Sequence, residues 1–318
     1  MKRSHRWRWL ILVLCLYGVI CSVGGIYLAD GTMHPGRRAL EPEEVADFRS
    51  VVNGEGAAVT DAAVTAVDGV ILKGWILRPA HPNGDAAVLL HGLGDNRLGM
   101  AGYARLLLAH GYVVLLPDAR EHGESGGTLA TYGLLERNDV HQWVDYIEAT
   151  SHPGCVYGLG ESMGAAQLLQ SLEVEKRFCG VVAESSFSTF REIAYDRMGQ
   201  PFGLGPWMGR VVLRPLVEIA FWRVQRKFGV DMRGISPEAG VEHSSTPVLL
   251  IHGQIDGNIP VRHGRAIHLA CSRTVLWEVP GADHCGALRV APVEFEKRVL
   301  EWFTSDRNLL TTKDTKVH

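Results

Sequence analysis

From about residue 57 onward, short apolar runs alternate with longer stretches in which apolar residues recur at helical spacing. The runs 57–66 and 70–77 flank Asp68-Gly69, a pair suited to the positive φ angles of a type I′ turn, and predict an antiparallel hairpin. Strands are then expected at 86–90, 113–116, 156–158, 180–183, 247–251 and 275–279. Helices are expected at 100–110, 134–149, 163–172, 262–270 and 293–303. An opening hairpin followed by repeated strand–helix units implies a mostly parallel sheet with helices on both faces. The unbroken runs Val88-Leu89-Leu90 and Val113-Val114-Leu115-Leu116 fit strands buried on both sides.

Two regions break this rhythm. Residues 9–28 contain no charge and follow Lys2, Arg3, Arg6 and Arg8. Twenty helical residues just cross a hydrocarbon core, and the basic cluster ahead of them favours a cytoplasmic N-terminus with the body exported. Ser22, Gly24 and Gly25 also suit a cleaved signal peptide, but the apolar run exceeds a usual signal core. We therefore expect residues 1–30 to be a membrane anchor, with secretion after cleavage as the alternative. Residues 31–56 read as a linker with room for one short helix. The second break, at about 187–240, holds Phe187, Phe190, Phe202, Trp207, Phe221, Trp222 and Phe228, with Arg210, Arg214, Arg223, Arg226 and Lys227 interspersed. The segment 306–318 is expected to be a disordered tail.

Composition adds exclusions. A chain of 318 residues, 46% hydrophobic and 21% charged, has the make-up of a globular protein, and its net charge of −3 argues against nucleic acid as a partner. The six cysteines show no CxxC pairing, so neither a zinc site nor a dense disulfide framework is indicated; a single bridge among Cys155, Cys179, Cys271 and Cys285 stays open.

Gly160-Glu161-Ser162-Met163-Gly164 matches G-x-S-x-G. A shuffled chain of this composition would contain such a pentapeptide roughly one time in five, so the motif gains its weight from context. It follows the strand at 156–158 and opens the helix at 163–172, as a nucleophile elbow requires. The glycines permit a sharp turn, and the helix N-terminus places backbone N–H groups where negative charge would develop.

On these residues the chain resembles the α/β-hydrolase family over 57–305. That family runs nucleophile, acid, histidine, each on a loop after a strand. Here Ser162 is followed by Asp256, in Gly253-Gln254-Ile255-Asp256, and by His284, in Pro280-Gly281-Ala282-Asp283-His284. The resemblance implies Ser162 as nucleophile, His284 as its base and Asp256 as the acid that orients the base, with Glu184 as the alternative acid. It also implies an oxyanion hole from the backbone N–H groups of Met163 and of Leu93, in His91-Gly92-Leu93-Gly94. Asp283 reads as a turn residue, Cys285 as packing, and His91 and His122 as scaffold. Asp118-Ala119-Arg120-Glu121-His122-Gly123-Glu124-Ser125 is similar to the family's D-x-R-G-H-G-x-S loop, but Glu121 stands where glycine is usual and suggests a different local backbone.

The expected fold is thus an α/β-hydrolase fold: a mostly parallel sheet with an N-terminal antiparallel hairpin and a helical cap insertion at about 187–240. The expected activity is cleavage of ester-type acyl bonds through an acyl-enzyme on Ser162, with a small-molecule or lipid ester as substrate and no cofactor or metal. A peptidase or thioesterase, or an inactive binding protein on the same fold, is the alternative. Oligomeric state is not readable from the sequence.

Overall fold

The computed structural model describes residues 2–314, with side chains from 6 to 304. The end of the expected tail, 315–318, lies outside the described residues. The chain divides into two compact units, one of Pro35–Ser188 with Ile235–His318 and one of Met1–His34 with Thr189–Gly234.

The larger unit is built on an eight-stranded sheet. Its strands are β1 Ala58–Thr65, β2 Ile71–Arg78, β3 Ala86–Leu90, β4 Val113–Pro117, β5 Val156–Glu161, β6 Phe178–Glu184, β7 Val248–Gly253 and β8 Thr274–Val279, in the order β1-β2-β4-β3-β5-β6-β7-β8. The hairpin pairs β1 with β2, β2 is also antiparallel to β4, and the remaining neighbours are parallel. Its turn differs from expectation. Gly69 has φ 84°, Asp68 is not left-handed, and Gly69 N–H donates to Ala66 O at 2.9 Å. One positive-φ residue after a tight turn is the three-residue hairpin with a bulge, not the two-residue type I′ form.

Strand β3 is buried along its whole length, because helices cover both faces. Period-2 alternation sends Ala87 and Leu89 to one face and Ala86, Val88 and Leu90 to the other. The first face packs against α2 (Pro42–Gly54), α3 (Ala101–Ala109) and α11 (Pro292–Asp314) through Val52, Leu107, Phe295 and Phe303. The second packs against α4 (Glu136–Ser151), α5 (Met163–Ser171), α8 (Pro237–Glu242) and α9 (Arg262–Ala270) through Trp143, Leu168, Val241 and Ile267. Burying each such side chain contributes roughly 1.5–3 kcal/mol. A short α10 spans Ala287–Val290, and α11 carries helical backbone into the segment expected to be a tail, where neither Gly nor Pro interrupts 293–314.

Cys155 and Cys179 form a disulfide with Cα atoms 5.8 Å apart. It joins the start of β5 to the start of β6, which parallel pairing lays side by side.

The smaller unit holds α1 (Lys2–Met33), α6 (Phe190–Gly199) and α7 (Arg214–Phe228), with short helical turns between α6 and α7. Residues Arg6–Met33 of α1 are long and apolar enough to cross a membrane.

Candidate active site

Strand order reverses around β3: β4 lies on one side of it and β5 on the other. Loops leaving the carboxyl ends of β3 and β5 therefore diverge and open a crevice, the usual place for a ligand in an open α/β sheet. His91-Gly92-Leu93-Gly94 leaves β3 there, and Ser162 leaves β5.

Ser162 sits between β5 and α5 with φ 51° and ψ −114°. A side chain bearing a Cβ rarely adopts this conformation, and holding it costs on the order of 1–3 kcal/mol. The flanking glycines explain how the turn closes. A Cβ on Gly160 would lie 2.7 Å from Ala165 N, and one on Gly164 would collide with the carbonyl of Leu90. The elbow is fixed further by Ser162 N–H, which donates to Glu184 O at 2.8 Å.

The three side chains singled out from sequence meet at this edge. His284 Nε2 lies 2.9 Å from Ser162 Oγ, and His284 Nδ1 lies 2.8 Å from Asp256 Oδ2. Asp256 is buried, and its Oδ1 accepts from the N–H groups of Asn258 at 2.9 Å and Ile259 at 2.8 Å. Burial pushes this carboxyl upward, but the His284 and backbone N–H donors outweigh it and hold Asp256 below the usual carboxylate range. Ser162 Oγ thus begins a chain of three groups whose far end, the Asp256 carboxylate, stays ionised.

Glu184, the alternative acid, is engaged elsewhere. It accepts from Tyr103 OH at 2.9 Å and from Ala287 N–H at 2.9 Å. Asp283 is turned to the surface, where it binds Arg289 at 2.7 Å. The Cys285 thiol is raised well above its ordinary value by burial and by the nearby carboxylates of Glu161, Glu184 and Asp256, so it remains protonated.

The loop carrying Leu93 runs beside the serine: a Cβ on Gly92 would stand 3.6 Å from Ser162 Cβ. Met163 is the first residue of α5. Two buried histidines pin this loop. His91 Nε2 accepts from Ala119 N–H at 3.0 Å while its Nδ1–H faces Gly92 O at 2.8 Å, and His122 Nε2 accepts from Gly94 N–H at 3.1 Å. Burial, with help from His122, pushes His91 down to about 4, which keeps the ring neutral and able to accept. Both histidines are scaffold for the loop, as their place ahead of Ser162 suggested.

Glu121 has φ 62°, a left-handed conformation open to glycine without strain, and the glutamate bears a cost of about 1–2 kcal/mol that glycine would avoid.

Sequence reasoning missed a buried acid pair beneath the elbow. Tyr103 OH lies 2.9 Å from Glu184 Oε2 and 3.3 Å from Glu161 Oε2. Burial, then repulsion from Glu184, raises Glu161 to about 7. The signal was faint: the acids end two adjacent strands, which only the sheet pairing Glu161 with Glu184 reveals.

Comparison with known proteins identifies the family and the fold. The sequence pattern of the alpha/beta hydrolase family matches residues 87–298. An uncharacterized Bacillus subtilis protein, YqkD, is 32% identical over 196 residues, covering 61% of this chain and 62% of its own length. Lysophosphatidylserine lipase ABHD12 of Macaca fascicularis is 29% identical over 183 residues, 55% of this chain and 41% of that protein. The chain thus spans less than two thirds of these relatives. The Pyrococcus furiosus esterase Pf2001 superposes with a TM-score of 0.68 at 24% identity, covering 86% of this chain and 98% of the esterase, a likeness of fold.

Proposed function

The chain belongs to the alpha/beta hydrolase family, and on that premise we propose that it is a serine hydrolase cleaving ester-type acyl bonds through an acyl-enzyme on Ser162. The observation that carries the reading is the unbroken relay from Ser162 Oγ to His284 at 2.9 Å and from His284 to Asp256 at 2.8 Å. A serine hydroxyl becomes nucleophilic when a base takes its proton as it attacks. His284 Nε2 accepts that proton, and the Asp256 carboxylate stabilises the imidazolium that forms. The N–H groups of Leu93 and Met163 receive the tetrahedral oxyanion. Collapse expels the alcohol, protonated by His284, and leaves the acyl group on Ser162. Water, deprotonated by His284, then repeats the attack and releases the acid.

For the substrate we propose a hydrophobic or lipidic ester. Phe202, Leu204, Trp207, Val211 and Trp222 are exposed on the smaller unit, more apolar surface than a small soluble unit ordinarily leaves in water. The lysophospholipid substrate of the lipase relative points the same way.

We further propose that α1 anchors the chain in a membrane, with the body on the extracytoplasmic side. The uncharged run in α1 and the basic residues ahead of it support the anchor and its orientation. The disulfide supports the compartment, since such bonds persist where the surroundings are oxidising.

Hydrolysis of p-nitrophenyl esters of rising chain length, by the parent and by Ser162→Ala, tests the activity. We expect turnover to rise with acyl length and to fall by about a million-fold on substitution. A Ser162→Ala protein that retains parental turnover overturns the reading. Carbonate extraction tests the anchor, which fails if the intact chain is recovered in the soluble fraction.

A further inference from the structure

The smaller unit brings the apolar helix α1 and the segment 208–228 together along their lengths. Tyr17 OH donates to Val212 O, and Gly24 and Gly25 meet Leu216 and Ile219 so closely that a Cβ on Gly25 would stand 2.7 Å from Leu216 O. Asp30 pairs with Lys227 at 2.7 Å, and the His34 and Phe228 rings lie 5.5 Å apart. Partner numbers rise together along both segments, so the turn at Met208–Val212 and α7 run in the same direction as α1. Cys21, Gly25, Ala29 and Met33, spaced by four, form the face that is buried.

This packing fixes a depth. The uncharged run 9–28 is about 30 Å long as a helix, the thickness of a hydrocarbon core. Only residues 9–16, about 12 Å of it, precede the first contact with the segment 208–228. A bare stretch of that length cannot cross a bilayer. For α1 to span, the segment that packs on its second half has to enter the membrane beside it.

The surface of that segment is suited to do so. Val211, Trp207, Leu204 and Phe202 are 60%, 55%, 48% and 62% exposed. Trp222, beyond the Gly25 contact, falls at the level where the uncharged run ends near Tyr27, and Trp7 and Trp9 stand at its other end. Indole rings favour such boundaries. Arg226 and Lys227 follow at the level of Asp30, where headgroups would be. Arg210 and Arg214 lie deeper and oppose insertion. Arg210 is paired with Glu192 and Glu218 with Arg233, so both acids of this stretch are matched by a cation, and an arginine stem is long enough to carry its charge several ångströms along the bilayer normal. Against them stand five exposed apolar side chains of the smaller unit, together with Ile20, Val23 and Ile26 of α1, all of which leave water on insertion.

We propose that the smaller unit is a membrane-inserted element, in which the turn at Met208–Val212 reaches the middle of the bilayer and the first half of α7 sits among the acyl chains of the leaflet at the C-terminal end of α1. The occupant of its exposed apolar face is the phospholipid bilayer. This rests on the reading of α1 as a membrane span, and the test separates the two. In full-length protein carrying Cys15→Ala, Cys21→Ala, Cys271→Ala and Cys285→Ala, one free cysteine at a time is introduced by Val13→Cys, Val211→Cys or Val67→Cys and labelled with the fluorophore NBD. Val67 is 80% exposed in the hairpin turn of the larger unit and serves as the aqueous reference. The proteins are reconstituted into phosphatidylcholine–phosphatidylglycerol vesicles with and without doxyl-labelled acyl chains. The expected result is blue-shifted emission with loss of intensity to doxyl lipid at positions 13 and 211, and neither at 67. Quenching at 13 with none at 211 overturns the proposal while the anchor stands. Absence of quenching at both positions removes the anchor reading and this proposal with it. A blue shift at 211 that depends on protein concentration and is insensitive to doxyl lipid assigns the face to a second copy of the chain and also overturns it. Phe202→Cys repeats the measurement if Val211→Cys does not fold.

Discussion

Replacing Asp256 by asparagine exchanges one oxygen for an amide nitrogen and leaves the shape of the side chain unchanged. The hydrogen bonds around it decide which way the amide turns. Oδ1 accepts two backbone N–H groups, from Asn258 and Ile259, while Oδ2 accepts only from His284 Nδ1. An NH2 group at the Oδ1 position would face two donors, and each buried donor left without an acceptor costs about 1–3 kcal/mol. The asparagine oxygen therefore stays with the backbone, and its NH2 turns to His284. His284 Nδ1 must then accept, which moves the ring proton to Nε2, the nitrogen that faces Ser162. A protonated Nε2 cannot take the serine proton. The expected loss in kcat is about 10⁴-fold, equivalent to about 5–6 kcal/mol in the barrier. Steady-state hydrolysis of a p-nitrophenyl ester measures it, with circular dichroism to establish that the variant is folded. Glu184→Gln is the control. Glu184 is bound to Tyr103 and Ala287 rather than to His284, and its loss is expected to stay within about tenfold. A folded Asp256→Asn protein within tenfold of the parent, or a ranking in which Glu184→Gln is the worse variant, refutes the reasoning.

Further outcomes follow from other parts of the molecule. Opening the Cys155–Cys179 bridge, which closes a loop with a sequence separation of 24, is expected to lower stability by about 3–4 kcal/mol from chain entropy. Urea midpoints of the Cys155→Ala/Cys179→Ala variant, and of the parent with reductant, should fall together, and an unchanged midpoint removes the bridge from the account. Burial raises Glu161 to about 7 from an ordinary 4.5, so the folded chain holds this proton more tightly than the unfolded chain. Its stabilising contribution is complete below pH 4.5 and lost as pH climbs through about 7. Glu161→Gln should therefore match the parent in acid and exceed its stability in mild alkali, by on the order of 1–3 kcal/mol; a difference that is constant with pH rules this out. Gly164→Ala would drive a Cβ into the carbonyls of Leu90 and His91 and should cost about 1–3 kcal/mol or more, read by thermal unfolding.

The parts of this molecule legible in the sequence are those with a local cause. Strand β3 announces itself by five consecutive apolar residues, and the elbow by glycines at 160 and 164 around Ser162. Strand β5 is longer than its apolar run suggests, because Gly160 and Glu161 look like loop residues until β6 pairs with both and β3 with Gly160. The disulfide and the Glu161–Glu184 pair were not legible, since each depends on two strands lying adjacent. The left-handed conformation of Glu121 was not legible either, because it is held against local preference by Glu121 N–H to Gly126 O at 3.0 Å and His122 N–H to Ala119 O at 3.1 Å. The hydrophobicity of α1 was plain, but not that Gly24 and Gly25 let another helix reach its backbone. The small residues that suit a signal cleavage region also allow this close helix packing.

The central claim is that Ser162 is a nucleophile activated by His284, and covalent labelling with a fluorophosphonate tests it most directly. The probe reacts with an activated serine irrespective of which ester is the natural substrate. Full-length protein in detergent is incubated with the probe, digested, and the modified peptide identified by mass spectrometry. The account predicts a single adduct on Ser162, absent in Ser162→Ala and slowed by orders of magnitude in His284→Ala. A folded parent that takes no label, or takes it on a different serine, contradicts it.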